Sequence, residues 1–453
     1  MGLNAIIYAI LCINILYLPH NKGHKGYLNP SDLSYSPTAE RTTAPIAKDA
    51  SAVTLVQNES GTWQLMRNDM PYDIRGAGGI AHLELFQRSG GNTIRTWGMD
   101  QLTTDVPGES LLDQCADLGL NVMVGLWLEH ARHGADYGDE EFLQNQRDRI
   151  RAAVCTYRDH SAVLIWGLGN EMEGDGSNPQ IWQELEVLAQ IVKEEDPNHP
   201  VCTVIAGTAN DKVRRMMEHY SSLDLLGVNI YAGAEKVDQS LSAQGWDRPY
   251  LITEFGPIGH WEVETTTWGA PIEPISAAKA ASYETAHRAQ FEQGRELCLG
   301  TFCFLWGHKQ ETTSTWFGMF LKTGEKTPMV DIMHRIWSGN EPELCSPIIT
   351  ALTSVLREQS VPPGSTYEVE VECQHPNQSV LEVEWHVVAE TNDRRSGGDP
   401  ETTPPVIPDC ILENNGTHAR IQSPDKSGGY RVFVFVRDGK GGGTAANFPF
   451  FVA

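Results

Sequence analysis

The sequence predicts an α/β protein: a closed (β/α)8 barrel followed by a C-terminal all-β, immunoglobulin-like sandwich. Three observations carry this. From Pro71 to about residue 340, eight short apolar runs alternate with helical patterns, the order and length of such a barrel. Two of those runs are apolar throughout and stop on a glutamate, Val163-Leu-Ile-Trp-Gly-Leu-Gly-Asn-Glu171 and Pro249-Tyr-Leu-Ile-Thr-Glu254. A run without polar alternation reads as a strand buried on both faces, as parallel sheets contain. After Asn340 the period drops to two, in Tyr367-Glu-Val-Glu-Val-Glu-Cys, Val380-Leu-Glu-Val-Glu-Trp-His-Val-Val and Tyr430-Arg-Val-Phe-Val-Phe-Val. Short alternating strands separated by turn-rich stretches such as Gly397-Gly-Asp-Pro point to a sandwich. A doubly wound sheet is the competing arrangement for the first part.

Taken in order, residues 5–18 form an apolar run of signal-peptide length, without a basic flank or a clear small-x-small cleavage site. This reads as an export signal or uncleaved anchor, the alternative being a start site placed too far upstream. Residues 19–48 are rich in Pro, Ser, Thr, Asn and Lys and read as a flexible leader. Val53-Thr-Leu-Val-Gln and Thr62-Trp-Gln-Leu-Met predict a hairpin that lids the barrel floor. Barrel strands are expected at Tyr72–Gly76, Asn92–Trp97, Val122–Leu128, Val163–Asn170, Val201–Ile205, Leu225–Tyr231, Tyr250–Phe255 and Thr301–Trp306. Helices are expected at Glu109–Leu118, Glu140–Tyr157, Pro179–Glu195, Asp211–Ser221, Ile275–Leu299 and Pro328–Ser338. The expected units are therefore 1–48 (signal or anchor and leader), 49–340 (hairpin and barrel) and 341–453 (sandwich).

A net charge of −25 leaves nothing to neutralise phosphates, which argues against a nucleic-acid partner. The charge and the apolar start fit an exported protein, periplasmic, cell-surface or secreted, with no membrane insertion beyond that first segment. Nine cysteines include no C-x-x-C pair and no zinc spacing. Cys345, Cys373 and Cys410 cluster late enough that two of them could pair in an exported protein. Gly76-Ala-Gly-Gly-Ile-Ala81 mimics a dinucleotide fingerprint, but the next strand ends Arg95-Thr-Trp-Gly where an acidic residue is needed. A tight βα turn is the better reading of those glycines.

The chemistry sits at the strand ends. Glu171 and Glu254 close two barrel strands, where α/β barrels keep their reactive groups, and two carboxylates can flank one glycosidic bond. Either alone could cap the following helix. Arg95, Asn170, Tyr231 and Trp306 stand on other strand ends. Arg and Tyr beside a carboxylate hold it ionised and aimed; a Trp offers a flat face for a sugar. Trp127, Glu129, His130 and His133 follow strand three, and His260, Trp261, Trp268, His308, Lys309 and Trp316 follow later strands, as cleft residues or as loop packing. His130-x-x-His133 lacks a placed carboxylate, so no metal is assigned.

With these residues the chain resembles glycoside hydrolase clan A, the retaining (β/α)8 glycosidases, and is most similar to the barrel of family 2, over about residues 70–340. The resemblance implies that Glu171 is the general acid/base, Glu254 the nucleophile, and Asn170 the partner of the substrate 2-hydroxyl. It implies no cofactor. There are departures: the sandwich follows the barrel rather than preceding it, and Asn229 stands at the strand-six position often held by His. The C-terminal segment resembles an immunoglobulin-like or PKD-like module. The expectation is a retaining β-glycoside hydrolase acting on a β-linked oligo- or polysaccharide, with a β-glucan as one candidate. The alternatives are a glucan-remodelling transglycosylase using the same residues and a catalytically inactive carbohydrate-binding protein.

Overall fold

The computed structural model describes residues 51–59, 61–104, 108–289 and 296–453; the apolar run and the leader lie outside them. The barrel closes from eight parallel strands: β1 (Ile74–Gly78), β2 (Thr93–Arg95), β3 (Asn121–Leu126), β4 (Val163–Asn170), β5 (Val201–Ala206), β6 (Leu225–Asn229), β7 (Tyr250–Phe255) and β8 (Cys298–Cys303). Every residue of β3, β4, β6, β7 and β8 is buried, which is why these runs lack polar alternation.

The helices α1 (Leu83–Arg88), α2 (Leu111–Asp117), α3 (Glu140–Tyr157), α4 (Pro179–Glu195), α5 (Lys212–His219), α6 (Val237–Ala243), α7 (Ser276–His287) and α8 (Pro328–Ser338) pack outside the strands. Local signals start the longest ones. Asp139 accepts from the Glu141 and Phe142 amides ahead of α3, and Asn178 caps α4, whose first residue is Pro179. The hairpin Val53–Gln57 and Trp63–Arg67 sends Val53 and Leu65 into the barrel floor against Met123, Leu164, Leu225, Leu251 and Phe302.

Strand eight departs from expectation. Its regular ladder ends at Cys303, three residues before Trp306, although the Phe304 and Trp306 amides still donate to Phe255 O and Gly78 O (both 2.8 Å). Leu305 donates its amide to Phe317 O (3.1 Å) and accepts from Met319 N (3.0 Å), so this segment pairs with its own return loop. Of the helix expected over Ile275–Leu299, Ser276–His287 is helical and Cys298 and Leu299 belong to β8; residues 290–295 lie outside the described ones. The glycines of β1 serve close packing: a Cβ on Gly76 would lie 2.3 Å from the Phe302 ring, and one on Gly78 would lie 2.8 Å from the Trp97 ring.

The sandwich has two four-stranded sheets. One runs β9 (Ile348–Thr353), β11 (Thr366–Gln374), β14 (His418–Gln422), β13 (Ile411–Asn414); the other β10 (Ser360–Val361), β16 (Gly443–Val452), β15 (Gly428–Arg437), β12 (Glu382–Ala389). Val369, Val371, Trp385, Val387, Ile421, Val432 and Phe448 fill the space between them. Cys345, Cys373 and Cys410 are all free thiols, so the expected pairing does not form in this structure.

A buried polar joint fixes the sandwich to the barrel. Arg431, 2% exposed, donates to Glu390 (2.8 Å), Asn447 Oδ1 (2.7 Å) and Pro271 O (2.7 Å). Asn447 donates in turn to Glu273 (2.6 Å), which also takes the Thr315 hydroxyl (2.8 Å) and the Lys279 ammonium. Each charge in the joint has a partner, as buried charges require.

Candidate active site

Both glutamates reach the C-terminal rim of the barrel, the end that carries function in this architecture. They line one cleft of 1620 Å³. Glu254, near the end of β7, is held by three donors. Arg95 Nη1 (2.9 Å) and Trp97 Nε1 (3.1 Å) meet Oε1, and the Tyr231 hydroxyl (2.8 Å) meets Oε2. Arg95 is itself buried, and its second nitrogen binds Asn170 Oδ1 (2.6 Å). A guanidinium and two further donors fix this carboxylate in position and aim it into the cleft. Burial, with the Glu254 charge adding to it, holds the Tyr231 phenol far above its usual range, so it stays a neutral donor.

Glu171 follows β4 by one residue and has φ of 53°, a left-handed conformation uncommon for a side-chain-bearing residue. Its amide donates to Val204 O (2.8 Å), which fixes this turn against β5. Among the described residues a single side-chain donor reaches its carboxyl, Asn229 Nδ2 (2.8 Å). Burial, then the neighbouring Glu254 charge, pushes its pKa up to about 7. Two carboxylates on one cleft therefore live in opposite environments. One is surrounded by donors; the other is desolvated and repelled.

Asn229 links the pair. Its amide nitrogen serves Glu171 and Asn170 Oδ1 (3.1 Å), and its oxygen accepts from Thr253 (2.8 Å), beside Glu254. Its donation to Glu171 opposes the effect of burial. Asn229→Ala should therefore move the Glu171 titration to higher pH, read as an upward shift of the alkaline limb of kcat/KM; a downward shift would contradict this role.

Other expected residues are sorted by the fold. Trp127, Glu129 and His260 line the cleft, with His260 facing Glu311 (3.5 Å). Trp261, His308 and Lys309 line it as well. Trp306 borders the cleft as well, but its fully buried ring packs between Phe86, Phe320 and Trp337 and so presents no open stacking face. His130 is also a correction. It is 2% exposed, stands behind Trp127 (ring centroids 5.1 Å apart) and contacts Arg132, and burial followed by the Arg132 charge lowers its pKa to about 3. Trp316 is buried and donates to Ile258 O (3.0 Å), while Trp268 packs on Phe451 of the sandwich. Glu173 is a buried anchor that accepts from Lys212 (2.7 Å) and the Ala206 amide (2.9 Å). Among the described residues no group of three or more His, Cys, Asp and Glu is placed to hold a metal ion.

Sequence reasoning missed three contributors. Trp97 donates to Glu254; its position two residues after Arg95 was the available signal. Its seat depends on Gly125, where a Cβ would lie 2.3 Å from Thr96 O and 2.4 Å from Trp97 C, and on Gln101 Oε1, which takes the Trp97 amide (2.6 Å). Phe304 lies edge-on to Trp97 and Tyr231, both at 5.9 Å, and forms the apolar floor. The third is a sandwich loop, residues 394–400, which lines the same cleft.

A parallel barrel whose rim carries two carboxyls on one cleft, one held by three donors and the other largely desolvated, can flank a glycosidic bond from both sides. Residues 103–260 match the model of the family described as "Glycosyl hydrolases family 2, TIM barrel domain". No curated protein matches the chain in sequence. Among solved structures, the β-glucuronidase 2 of Bacteroides uniformis is 12% identical, covering 88% of this chain and 48% of that one, with a TM-score of 0.49. The GH2 β-galacturonidase of Eisenbergiella tayi is 17% identical over 64% of this chain and 54% of its own, with a TM-score of 0.47. A putative β-galactosidase from Bacteroides fragilis is 14% identical over 89% and 57%, with a TM-score of 0.46. The chain thus spans about half the length of these proteins, and nothing about sugar or linkage passes from them to it.

Proposed function

We propose that the protein is a retaining β-glycoside hydrolase acting on a β-linked oligo- or polysaccharide, with a β-glucan as a candidate substrate. The observation that carries this is the unequal treatment of the two rim carboxyls. Glu254, with Arg95, Trp97 and Tyr231 around it, is equipped as a nucleophile. Glu171, with a pKa near 7, holds a proton to give.

In the first step Glu254 attacks the anomeric carbon as Glu171 protonates the leaving oxygen, so the glycosidic bond breaks and a glycosyl ester forms. In the second step Glu171, now ionised, takes a proton from water; the resulting hydroxide equivalent attacks the same carbon and frees Glu254. The charge of Glu254 changes in each step, and that change alters the attraction of Glu171 for its proton in the direction required. While Glu254 is charged it raises the pKa of Glu171; once Glu254 is esterified that repulsion is gone and Glu171 becomes the stronger acid, ready to ionise. Asn170, oriented by Arg95 and Asn229, is the candidate partner of the 2-hydroxyl. The apolar run 5–18 is the basis for proposing that the enzyme is exported. None of the described helices is long and apolar enough to cross a membrane.

A panel of 4-nitrophenyl β-D-glycosides tests the reading, with the first-formed product of the best substrate followed by proton NMR. The expected product is the β-anomer, mutarotating later to the mixture. Initial release of the α-anomer, or no turnover across the panel, would defeat it.

A further inference from the structure

The C-terminal sandwich closes part of the cleft. Its loop from Asp393 to Glu401 leaves the end of β12, and Arg394, Arg395, Ser396, Gly397, Gly398, Asp399 and Pro400 share a cavity wall with Glu171 and Glu254. The loop is latched to two separate barrel loops. Asp399 accepts from Arg132 (3.1 Å) and pairs with His133 (2.7 Å), after β3. Gly398 O accepts from Lys309 Nζ (2.9 Å) and Glu401 from the Thr312 amide (2.6 Å), after β8. Between these anchors lie β1 and β2, so the loop spans that side of the rim.

The fit is specific to small residues. Gly397 and Gly398 have φ of 66° and 73°, and a Cβ on them would come within 2.7 Å of Arg132 and 2.9 Å of Lys309. The loop is also braced from inside. Asp393 holds Arg395 (2.8 Å) and the amide and hydroxyl of Thr402 (3.0 and 2.9 Å), and Arg394 is held by Glu390 (2.9 Å) and Gly269 O (2.9 Å). The buried joint around Arg431 and Glu273 fixes the sheet from which the loop springs.

We infer that this loop is a specificity-determining wall of the substrate site, which engages the sugar units beyond the one held at the carboxyls. The inference rests on the glycosidase reading. Arg394 and Arg395 already have acidic partners, so the wall offers held guanidinium edges, the Ser396 hydroxyl and backbone groups rather than a free cation. Such a surface suits the hydroxyls of a neutral sugar chain. The sandwich is then part of the active site, not a separately acting module.

The test compares kcat/KM for the best 4-nitrophenyl β-D-glycoside of the panel with that for the β-linked pentasaccharide of the same sugar. Two full-length variants are used. Asp399→Ala removes the latch to Arg132 and His133, and Ser396→Trp places bulk on the wall. In both, the ratio of pentasaccharide to nitrophenyl glycoside should fall about tenfold, the equivalent of one or two ordinary hydrogen bonds. A general loss of folding would lower both values together. Independently, the pentasaccharide bound to Glu171→Gln should slow amide hydrogen exchange in residues 391–402. A ratio within about twofold of wild type, or protection confined to the barrel, overturns the wall while leaving the glycosidase reading intact. Absence of turnover by the wild type would overturn that reading, and the wall with it.

Discussion

Glu254→Ala is expected to lower kcat by about 10⁴-fold or more, because the covalent step loses its nucleophile. The pocket that remains is informative. Arg95, Trp97 and Tyr231 all aim donors at the carboxylate, and removing it leaves a buried cationic pocket that favours a small anion. Added azide should enter there and attack the sugar directly, giving the α-glycosyl azide from a β-glycoside by one inversion. Glu171→Ala should behave oppositely. With a good leaving group the glycosyl ester still forms, and azide then attacks from the other face to give the β-azide. The pair of anomers assigns the two roles by stereochemistry, independently of rate. Undiminished hydrolysis by Glu254→Ala, or the same anomer from both variants, would reverse or remove the assignment.

The second large effect is on pH dependence. Glu171 must carry its proton for the first step, and its pKa is pushed up to about 7 by burial and by the Glu254 charge. kcat/KM should therefore fall about tenfold per pH unit above an alkaline limb near that value. Glu171→Gln should abolish the limb on substrates with activated leaving groups. The same group affects stability. The folded protein binds this proton more tightly than the unfolded chain does. Its contribution is fully present below the ordinary carboxylate range and is lost as pH rises through about 7. Thermal melts should show Glu171→Gln gaining on the wild type between pH 4 and pH 8; a constant difference in Tm across that range would contradict the coupling.

The barrel was legible because its strands are buried on both faces. No polar residue interrupts Val163–Leu168 or Tyr250–Ile252, and burial of every position in β4 and β7 explains that uniformity. The same uniformity hid where strands stop. Cys298 to Trp306 is apolar almost throughout, so composition could not mark the point past Cys303 where pairing with residues 317–319 begins. Beyond it the Phe304 ring meets Trp97 and Tyr231, while the Trp306 ring is buried among Phe86, Phe320 and Trp337. Likewise, Gly397-Gly-Asp-Pro has the composition of a turn between sandwich strands. Its place against Arg132 and Lys309 depends on how two domains dock.

What the sequence by itself determined is local and periodic. It set which runs form strands and helices, that two strands end in glutamate, and that Arg95, Asn170, Asn229 and Tyr231 stand on neighbouring strand ends. Tertiary structure alone decided the asymmetry between the glutamates. Glu254 gathers donors from β2 and β6, and Glu171 is left with Asn229, Glu254's charge and little solvent. It also brought Gly397 of a sandwich loop against Arg132, 265 residues earlier in the chain, at the same cleft. The physical reason is the same in both cases. Charge–charge energy and desolvation depend on distance and burial in three dimensions, whereas composition and period report only on a residue's neighbours along the chain.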